Sequence, residues 1–233
     1  DEEGESSWGK EAYLQDKEWL RDEYNPLMNL PFLVDCEKDD RVICQSNAIF
    51  TYLGRELAML GSNEEETCQC EELLCEIMDL RNLMVGYVYQ GGDASKAKED
   101  AEQLVTSGGL PCILDKLEMC LKRKYPNKDE KDIHNRPEIR NLVGEQCSAP
   151  DFHLWEMLDQ LQGLTTYYNL TSACSDRPNL TSFQKNFRNL QENAAYVQSQ
   201  MHHSLPYNNS FARFGSDPAT WGKLVRGSPT PWK

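Results

Sequence analysis

A chain of 233 residues with 39% apolar and 27% charged side chains can bury a sizeable core, which indicates a globular protein and excludes an intrinsically disordered one. Its formal net charge of -14 argues against nucleic acid or an anionic membrane as the partner. The nine cysteines, an odd number, occur without a signal peptide or a transmembrane run, so we expect a cytoplasmic protein with reduced thiols.

The first predicted element is a strand within residues 29–35, Asn-Leu-Pro-Phe-Leu-Val-Asp. This short apolar run is β-prone, and Pro31 lies near its start, where a missing N–H costs least. The Leu30-Pro31 bond can be cis, and we expect a cis bond to expose backbone N–H and C=O groups to an extended peptide.

The next predicted strand, residues 42–44, leads into a helix that we expect to have Ser46 as its N-cap and to end near Leu60. The N-terminus of a helix has unpaired N–H groups and a partial positive charge, so Gln45 and Ser46 lie where a carboxylate would bind. The two strands and this helix together predict a site for a small peptide with a free α-carboxylate.

From residue 61 onward the sequence pattern becomes helical. Residues 61–66 are predicted to be a linker, and a long helix follows them. Further helices are predicted from Ala94 to Leu104 and from residue 112 to Leu121, after the Gly-Gly-Leu-Pro segment. Three cysteines on the long helix lack a matching second pair, so we expect no metal site: Cys68, Cys70 and Cys75.

The charged, apolar-poor segment 122–147 predicts an exposed loop. Ser148 and Asp151 then form a capping-box pattern, with Asp151 in the reach-back position. The helix after them, Phe152 to Leu164, is apolar on most faces and is predicted to be the central buried helix of the bundle.

A last amphipathic helix is predicted over residues 180–203. The aromatic residues of the tail predict a segment that wraps back on the protein: Tyr207, Phe211, Phe214 and Trp221.

Short motifs with a characteristic order and spacing extend over most of the chain: Trp19-Leu20, residues 29–31, 45–49 and 52–55, the acidic residues 64–66, Met78-Asp79, Tyr89, residues 148–152 and residues 178–180. Together they resemble the cytosolic glutathione S-transferases, and in detail the mu class. The resemblance implies a mostly α-helical α+β protein. A thioredoxin-like glutathione-binding domain would occupy residues 1–60, and an all-helical bundle would occupy residues 67–233 beyond the linker at 61–66. Residues 122–147 are longer than the corresponding mu-class connection and are expected to be an insertion.

The resemblance also implies the residues of a glutathione site. Gln45 and Ser46 would hold the γ-glutamyl carboxylate. The backbone of Asn29, Leu30 and Pro31 would hold the middle of the tripeptide.

Three more residues are implied at the edges of that site. The indole N–H of Trp19 would donate to the glycyl end, and Asp79 would reach the γ-glutamyl amine in the neighbouring subunit. Tyr89 matches a tyrosine that assists certain electrophiles. Trp19 as a packing anchor and Tyr89 as a core residue remain open alternatives. Ser148 and Asp151 would be structural.

The resemblance begins at the family's second strand, near residues 1–4. The first strand and first helix are therefore expected to be missing from this chain. The tyrosine that hydrogen-bonds the thiolate lies in that segment of the family, so no catalytic residue is assigned here.

Two charges depart from the family pattern. Asp16 and Glu23 stand where the family has an arginine and a lysine, and both would face the glycyl carboxylate as like charges. Whether Lys17 or Arg21 compensates is left open by the sequence.

The loop between Trp19 and Asn29 is shorter than in mu-class enzymes, and Leu27 or Met28 stands in place of an aromatic key that packs into the partner subunit. We therefore expect a homodimer or a hetero-oligomer whose packing is weaker or different.

Two functions follow from the resemblance. The first is a detoxifying glutathione transferase that conjugates the glutathione thiol to small apolar electrophiles, with glutathione as co-substrate and no cofactor. The alternative is a non-catalytic binding or scaffold subunit that keeps the fold, favoured by Asp16, Glu23 and the net charge of -14.

Overall fold

A computed structural model of the chain describes residues 11–90, 94–126, 136–199, 202, 206–208 and 212–215, with the side chains of residues 11–15 and 94 excepted. The chain divides into two compact units, with the boundary between Leu57 and Ala58. No helix in the described ranges is both long and apolar enough to span a membrane. The segment near residues 1–4, expected to be a strand, lies outside the described residues.

Within the described residues, the N-terminal unit is a β-hairpin with two helices: α1 (Glu11–Glu23), β1 (Phe32–Asp35), β2 (Arg41–Cys44) and α2 (Ser46–Glu56). The strands are antiparallel, and Phe32 pairs with Cys44. Both predicted strands are present, whereas α1 was not predicted, because its acidic sequence has only a weak apolar stripe.

The predicted ends of α2 were wrong at both termini. Ser46 is the first helical residue and Gln45 is the N-cap, so the predicted N-cap is displaced by one position. The helix ends at Glu56 rather than near Leu60. Ala58 has φ 55°, a left-handed conformation that breaks the helical hydrogen-bond pattern.

The second unit is built from six α-helices within the described residues: α3 (Glu64–Val88), α4 (Ala97–Thr106), α5 (Gly109–Lys124), α6 (Ala149–Tyr167), α7 (Pro178–Arg188) and α8 (Gln191–Val197). Helix α3 packs against α4, α5 and α6, and α7 packs against both α5 and α6. Asn63 caps α3 by accepting the Glu66 N–H at 3.0 Å. Residues 64–66, predicted to be part of a linker, therefore form the first turn of α3, where acidic side chains favour the helix.

Helix α6 is buried along most of its length, as predicted, and it packs against α3 and α7. Leu154, Leu158 and Leu161 are almost completely buried. The capping box of Ser148 and Asp151 is present at its start. A mostly helical α+β fold with a small sheet followed by a helical bundle is thus confirmed.

Two predictions in the second half of the chain were wrong. Residues 136–143 were predicted to be exposed, but Arg136, Ile139 and Val143 are buried. The guanidinium of Arg136 explains this, because it donates to the Tyr125 carbonyl at 2.8 Å and so holds the loop against the bundle. Residues 127–135 of the predicted loop lie outside the described residues.

The predicted helix over residues 180–203 is divided into α7 and α8. Leu190 has an extended backbone, with φ -58° and ψ 139°. The Asn193 side chain donates to the Phe187 carbonyl at 2.9 Å and so satisfies one of the carbonyl groups at the C-terminal end of α7.

In the tail, Tyr207 stacks on Phe214, with ring centres 5.8 Å apart. Phe211 and Trp221 lie outside the described residues.

Candidate functional site

The hairpin brings the two predicted peptide-binding segments together. Because Phe32 pairs with Cys44, the residues just beyond this end of the ladder, Pro31 and Gln45, lie at the same end of the hairpin. The Leu30-Pro31 bond is cis, the isomer that the sequence allows. The Leu30 side chain is 57% exposed, so this end of the hairpin is open to a ligand.

Gln45 directly precedes α2 and has φ 74° and ψ 122°. This conformation costs a non-glycine residue of the order of 1–3 kcal/mol, and such residues concentrate at ligand-binding turns. The Gln45 side chain does not cap α2, and the first turn of α2 has no acidic residue. The N–H groups at the start of α2 are therefore suited to an external anion.

A cluster of side chains fastens the hairpin to α2. The Tyr52 hydroxyl donates to the Asp35 carboxylate, and Lys38 Nζ lies 2.6 Å from Glu56 Oε1. The ammonium of Lys38 and the guanidinium of Arg41 lie 5.3 and 5.5 Å from the centre of the Tyr52 ring. The shared hydrogen bond lowers the pKa of Asp35 and raises that of Tyr52. These contacts hold α2, and with it the anion-binding turn, against the strands.

Trp19 lies on α1, and its ring meets the Tyr24 ring edge-on at 5.3 Å. The Trp19 side chain is 54% exposed, which argues against the packing-anchor hypothesis. Asn25, just after α1, donates through its side chain to the Val42 carbonyl of β2 at 3.2 Å. The end of α1 that carries Trp19 is thereby fixed to the strand that leads into α2.

Asp79 and Tyr89 belong to the helical unit, and their part in a glutathione site stays a prediction. Asp79 is exposed on α3. Tyr89 is the C-cap of α3 and is 43% exposed, so it is not a core residue; the neighbouring Tyr87 is buried instead.

Leu27 and Met28, the two residues that stand in place of the family's aromatic dimer contact, differ sharply in exposure. Met28 is 1% exposed, whereas Leu27 is 66% exposed. Of the two, only Leu27 is exposed to solvent, and its part in a dimer contact stays a prediction.

Sequence analysis missed a group of residues at the end of α3, next to Tyr89 in the chain. The backbone N–H of Arg213 donates to the Val88 carbonyl at 3.0 Å, and its guanidinium lies 2.9 Å from the Asp100 carboxylate. The same guanidinium lies 5.2 Å from the centre of the Tyr87 ring. The tail is thus fastened beside the end of α3. These residues are far apart in sequence, so no local pattern could have identified them.

Comparison with known proteins was made at the level of sequence and of structure. The family profile described as "Glutathione S-transferase, C-terminal domain" matches residues 78–200. Glutathione S-transferase Mu 3 of Homo sapiens is 28% identical over 191 residues, which cover 82% of this chain and 72% of the human protein. Glutathione S-transferase Mu 5 of Rattus norvegicus is 29% identical over 189 residues, which cover 81% and 71% of the two chains.

Two solved structures resemble the fold. The glutathione S-transferase Blo t 8 superposes with a TM-score of 0.68 at 23% identity, covering 89% of this chain and 84% of its own. The pi-class glutathione S-transferase of Onchocerca volvulus superposes with a TM-score of 0.57 at 24% identity, covering 74% and 73%. Both likenesses concern the fold alone.

Proposed function

The chain belongs to the glutathione S-transferase family, and on that premise we propose that it binds glutathione at the N-terminal hairpin and transfers the glutathione thiol to small apolar electrophiles. The observation that carries this proposal is the placement of Pro31 and Gln45 at one end of the hairpin, next to the start of α2. We further propose a cytoplasmic, detoxifying role as a dimer, in keeping with the mu-class relatives.

The binding mode follows from the chemistry of the peptide. The γ-glutamyl end has a carboxylate, which the N–H groups at the start of α2 and the Ser46 hydroxyl can receive. The exposed Gln45 side chain adds a donor beside them. The backbone of Asn29 and Leu30, ahead of β1, offers polar groups to the cysteinyl residue, as in the addition of a strand to a sheet edge.

The chemistry requires the bound thiol to react as a thiolate. Holding the peptide at both ends fixes the sulfur beside a bound electrophile, and this orientation lowers the barrier for addition or substitution. Tyr89, an exposed residue at the end of α3, is proposed to donate its hydroxyl to charge that develops on the electrophile. The group that stabilises the thiolate is left unassigned.

Calorimetric titration with glutathione at modest salt tests the binding half of this proposal. We expect micromolar to millimolar affinity that is lost in Gln45→Ala and retained in Gln103→Ala, an exposed glutamine on α4. A conjugation assay with a chlorodinitrobenzene electrophile tests the catalytic half. Binding without conjugation would contradict catalysis and favour a binding subunit, and the absence of binding would contradict both halves.

A further inference from the structure

The groove between α3 and α5 of the helical unit contains a cavity of about 670 Å³. This volume is typical of pockets that hold a small molecule. Every residue that lines the cavity belongs to the second unit, so the cavity shares no residue with the peptide-binding end of the hairpin. Neither the sequence motifs nor the proposed function accounts for this cavity.

Contacts between different elements bound the cavity along the groove. Towards one end, Lys116 Nζ of α5 lies 2.7 Å from Glu76 Oε1 of α3. About 12 Å further along α5, the half-buried Lys124 ammonium donates to the carbonyls of Asn141 and Gly144, at 3.2 and 2.5 Å. These bonds hold the loop before α6 against the groove. The cavity is therefore a formed feature of the bundle.

Helices α3 and α5 run antiparallel along this groove. Glu76 contacts Lys116, whereas Leu83, seven residues later in α3, lies next to Gly109, seven residues earlier in α5. Because both helices rise by the same amount per residue, each position on one wall can be matched with a position on the other.

Two charged side chains stand on opposite walls of the cavity, on the same side of that ion pair. Glu72 of α3 lies four residues from Glu76, and Arg123 of α5 lies seven residues from Lys116. At a rise of about 1.5 Å per residue, these spacings place them about 6 and 10 Å from the ion pair along the helix axes. Their levels in the groove therefore differ by less than one helical turn.

Glu72 and Arg123 differ from the other charged residues of the lining. Both side chains are exposed, and neither makes a hydrogen bond or an ion pair within the part of the chain that the structure describes. The others are engaged, since Glu76 pairs with Lys116 and Lys124 donates to carbonyls. A carboxylate and a guanidinium on facing walls suit one molecule with an ammonium and a carboxylate at its two ends.

The remainder of the lining suits the body of a peptide. Leu117 and Leu142 are 0% and 7% exposed and Leu73 is partly buried, so an apolar side chain placed against them removes apolar surface from water. Gln69 is exposed in the same lining, and its amide can both donate to and accept from a peptide group. An apolar dipeptide can use both kinds of surface at once.

We propose that this cavity binds short zwitterionic peptides with an apolar side chain, whose ammonium lies at Glu72 and whose carboxylate lies at Arg123. Two extended residues span about 7 Å, which suits two walls whose helix axes lie about 8–10 Å apart. The proposal goes beyond the glutathione site and does not depend on it, because the two sites are built from different units.

Calorimetry with three probes tests this proposal: the dipeptide leucyl-phenylalanine, its N-acetyl form and its C-terminal amide. At low salt we expect the free dipeptide to bind with micromolar to millimolar affinity. Each blocked form should bind about three- to tenfold more weakly, because it has lost one of the two charges. Equal affinities for the three probes, or no binding of the free dipeptide, would overturn the proposal.

Two substitutions assign the charged groups of the peptide to the two walls. Glu72→Gln should weaken binding of the free dipeptide and leave that of the N-acetyl form unchanged, and Arg123→Gln should do the same with the amide as the insensitive probe. Lys122→Gln and Glu65→Gln are the matched controls, since these exposed residues of the same two helices lie outside the lining. Both controls should bind the dipeptide as the wild type does. Substitutions that weaken all three probes equally would contradict the assignment and overturn the proposal.

Gln45→Ala separates this proposal from the proposed function. That variant should lose glutathione and retain the dipeptide with unchanged affinity. Loss of the dipeptide in Gln45→Ala would place the peptide at the hairpin and overturn the cavity site. A wild-type protein that binds the dipeptide but not glutathione would overturn the proposed function alone.

Discussion

The carboxylate of Asp151 accepts the backbone N–H of Leu142 at 2.6 Å, which joins the first turn of α6 to the loop that precedes it. The same carboxylate accepts the N–H and the hydroxyl of Ser148 at 2.7 and 2.8 Å. The nearby Lys124 ammonium donates to the Gly144 carbonyl at 2.5 Å and so holds the loop from the side of α5. Asp151 thus serves both as a helix cap and as a link between α6 and the loop.

We expect Asp151→Ala to lower the free energy of unfolding by about 2–3 kcal/mol, because three buried donors lose their acceptor. Urea unfolding at neutral pH measures this loss. The exposed Glu145, in the same loop, provides the control: Glu145→Ala should leave the midpoint in place. An unchanged midpoint in Asp151→Ala would show that the cap does not stabilise the fold.

Asp151 and His153 should give opposite pH dependences to stability. Burial raises the pKa of Asp151 to about 6 from 3.8, against the effect of its hydrogen bonds and Lys124. The stability gained by protonating Asp151 is therefore full below pH 4 and is lost as the pH rises through about 6, whereas the hydrogen bonds that its carboxylate accepts remain at neutral pH. Burial, aided by Arg81, lowers the pKa of His153 to about 4 from 6.5, so its contribution is present above pH 6.5 and is lost as the pH falls to about 4. Each effect amounts to about 3 kcal/mol.

Unfolding free energies of wild type, Asp151→Asn and His153→Gln, measured from pH 4 to 7, separate the two groups. The advantage of wild type over Asp151→Asn should fall with rising pH, and its advantage over His153→Gln should rise. Parallel profiles for all three proteins would contradict both assignments.

Gln45 offers a test that separates binding from stability. Glycine tolerates a positive φ, so Gln45→Gly should relieve strain and leave the melting temperature unchanged or higher, in spite of the greater freedom of glycine in the unfolded chain. Gln45→Ala keeps the strained backbone and should not gain stability. Both variants should lose glutathione affinity if the side chain binds the ligand. Retained affinity in Gln45→Gly would show that only the backbone turn matters.

The sequence was a good guide wherever local chemistry determines structure. The capping box, the two short strands and the position of Pro31 each depend on residues that are neighbours in the chain. Motif spacing also identified the segments that the hairpin brings together. Those predictions required no knowledge of contacts between distant residues.

The sequence was a poor guide wherever a contact with a side chain distant in the chain determines the local structure. Residues 136–143 belong to a segment that is charged and poor in apolar residues overall and so resembles an exposed loop, yet Arg136 is buried because Asn179 of α7 accepts from its guanidinium at 2.9 Å. The contact between Arg213 and Asp100 likewise joins segments with no shared pattern. Helix α1 was missed because its weak apolar stripe gives no periodic signal.

Glu118 of α5 should prove important for the stability of the helical unit, because it caps another helix. Its carboxylate accepts the backbone N–H groups of Asn179 and Leu180, at 3.1 and 2.8 Å, where α7 has no side-chain cap of its own. We expect Glu118→Ala to lower the unfolding free energy by about 1–2 kcal/mol and Glu118→Gln to lower it by less, since one acceptor remains. Lys185→Ala, an exposed change on α7, should have no effect in the same urea titrations. Equal stability of all three variants would mean that solvent caps α7 as well as Glu118 does.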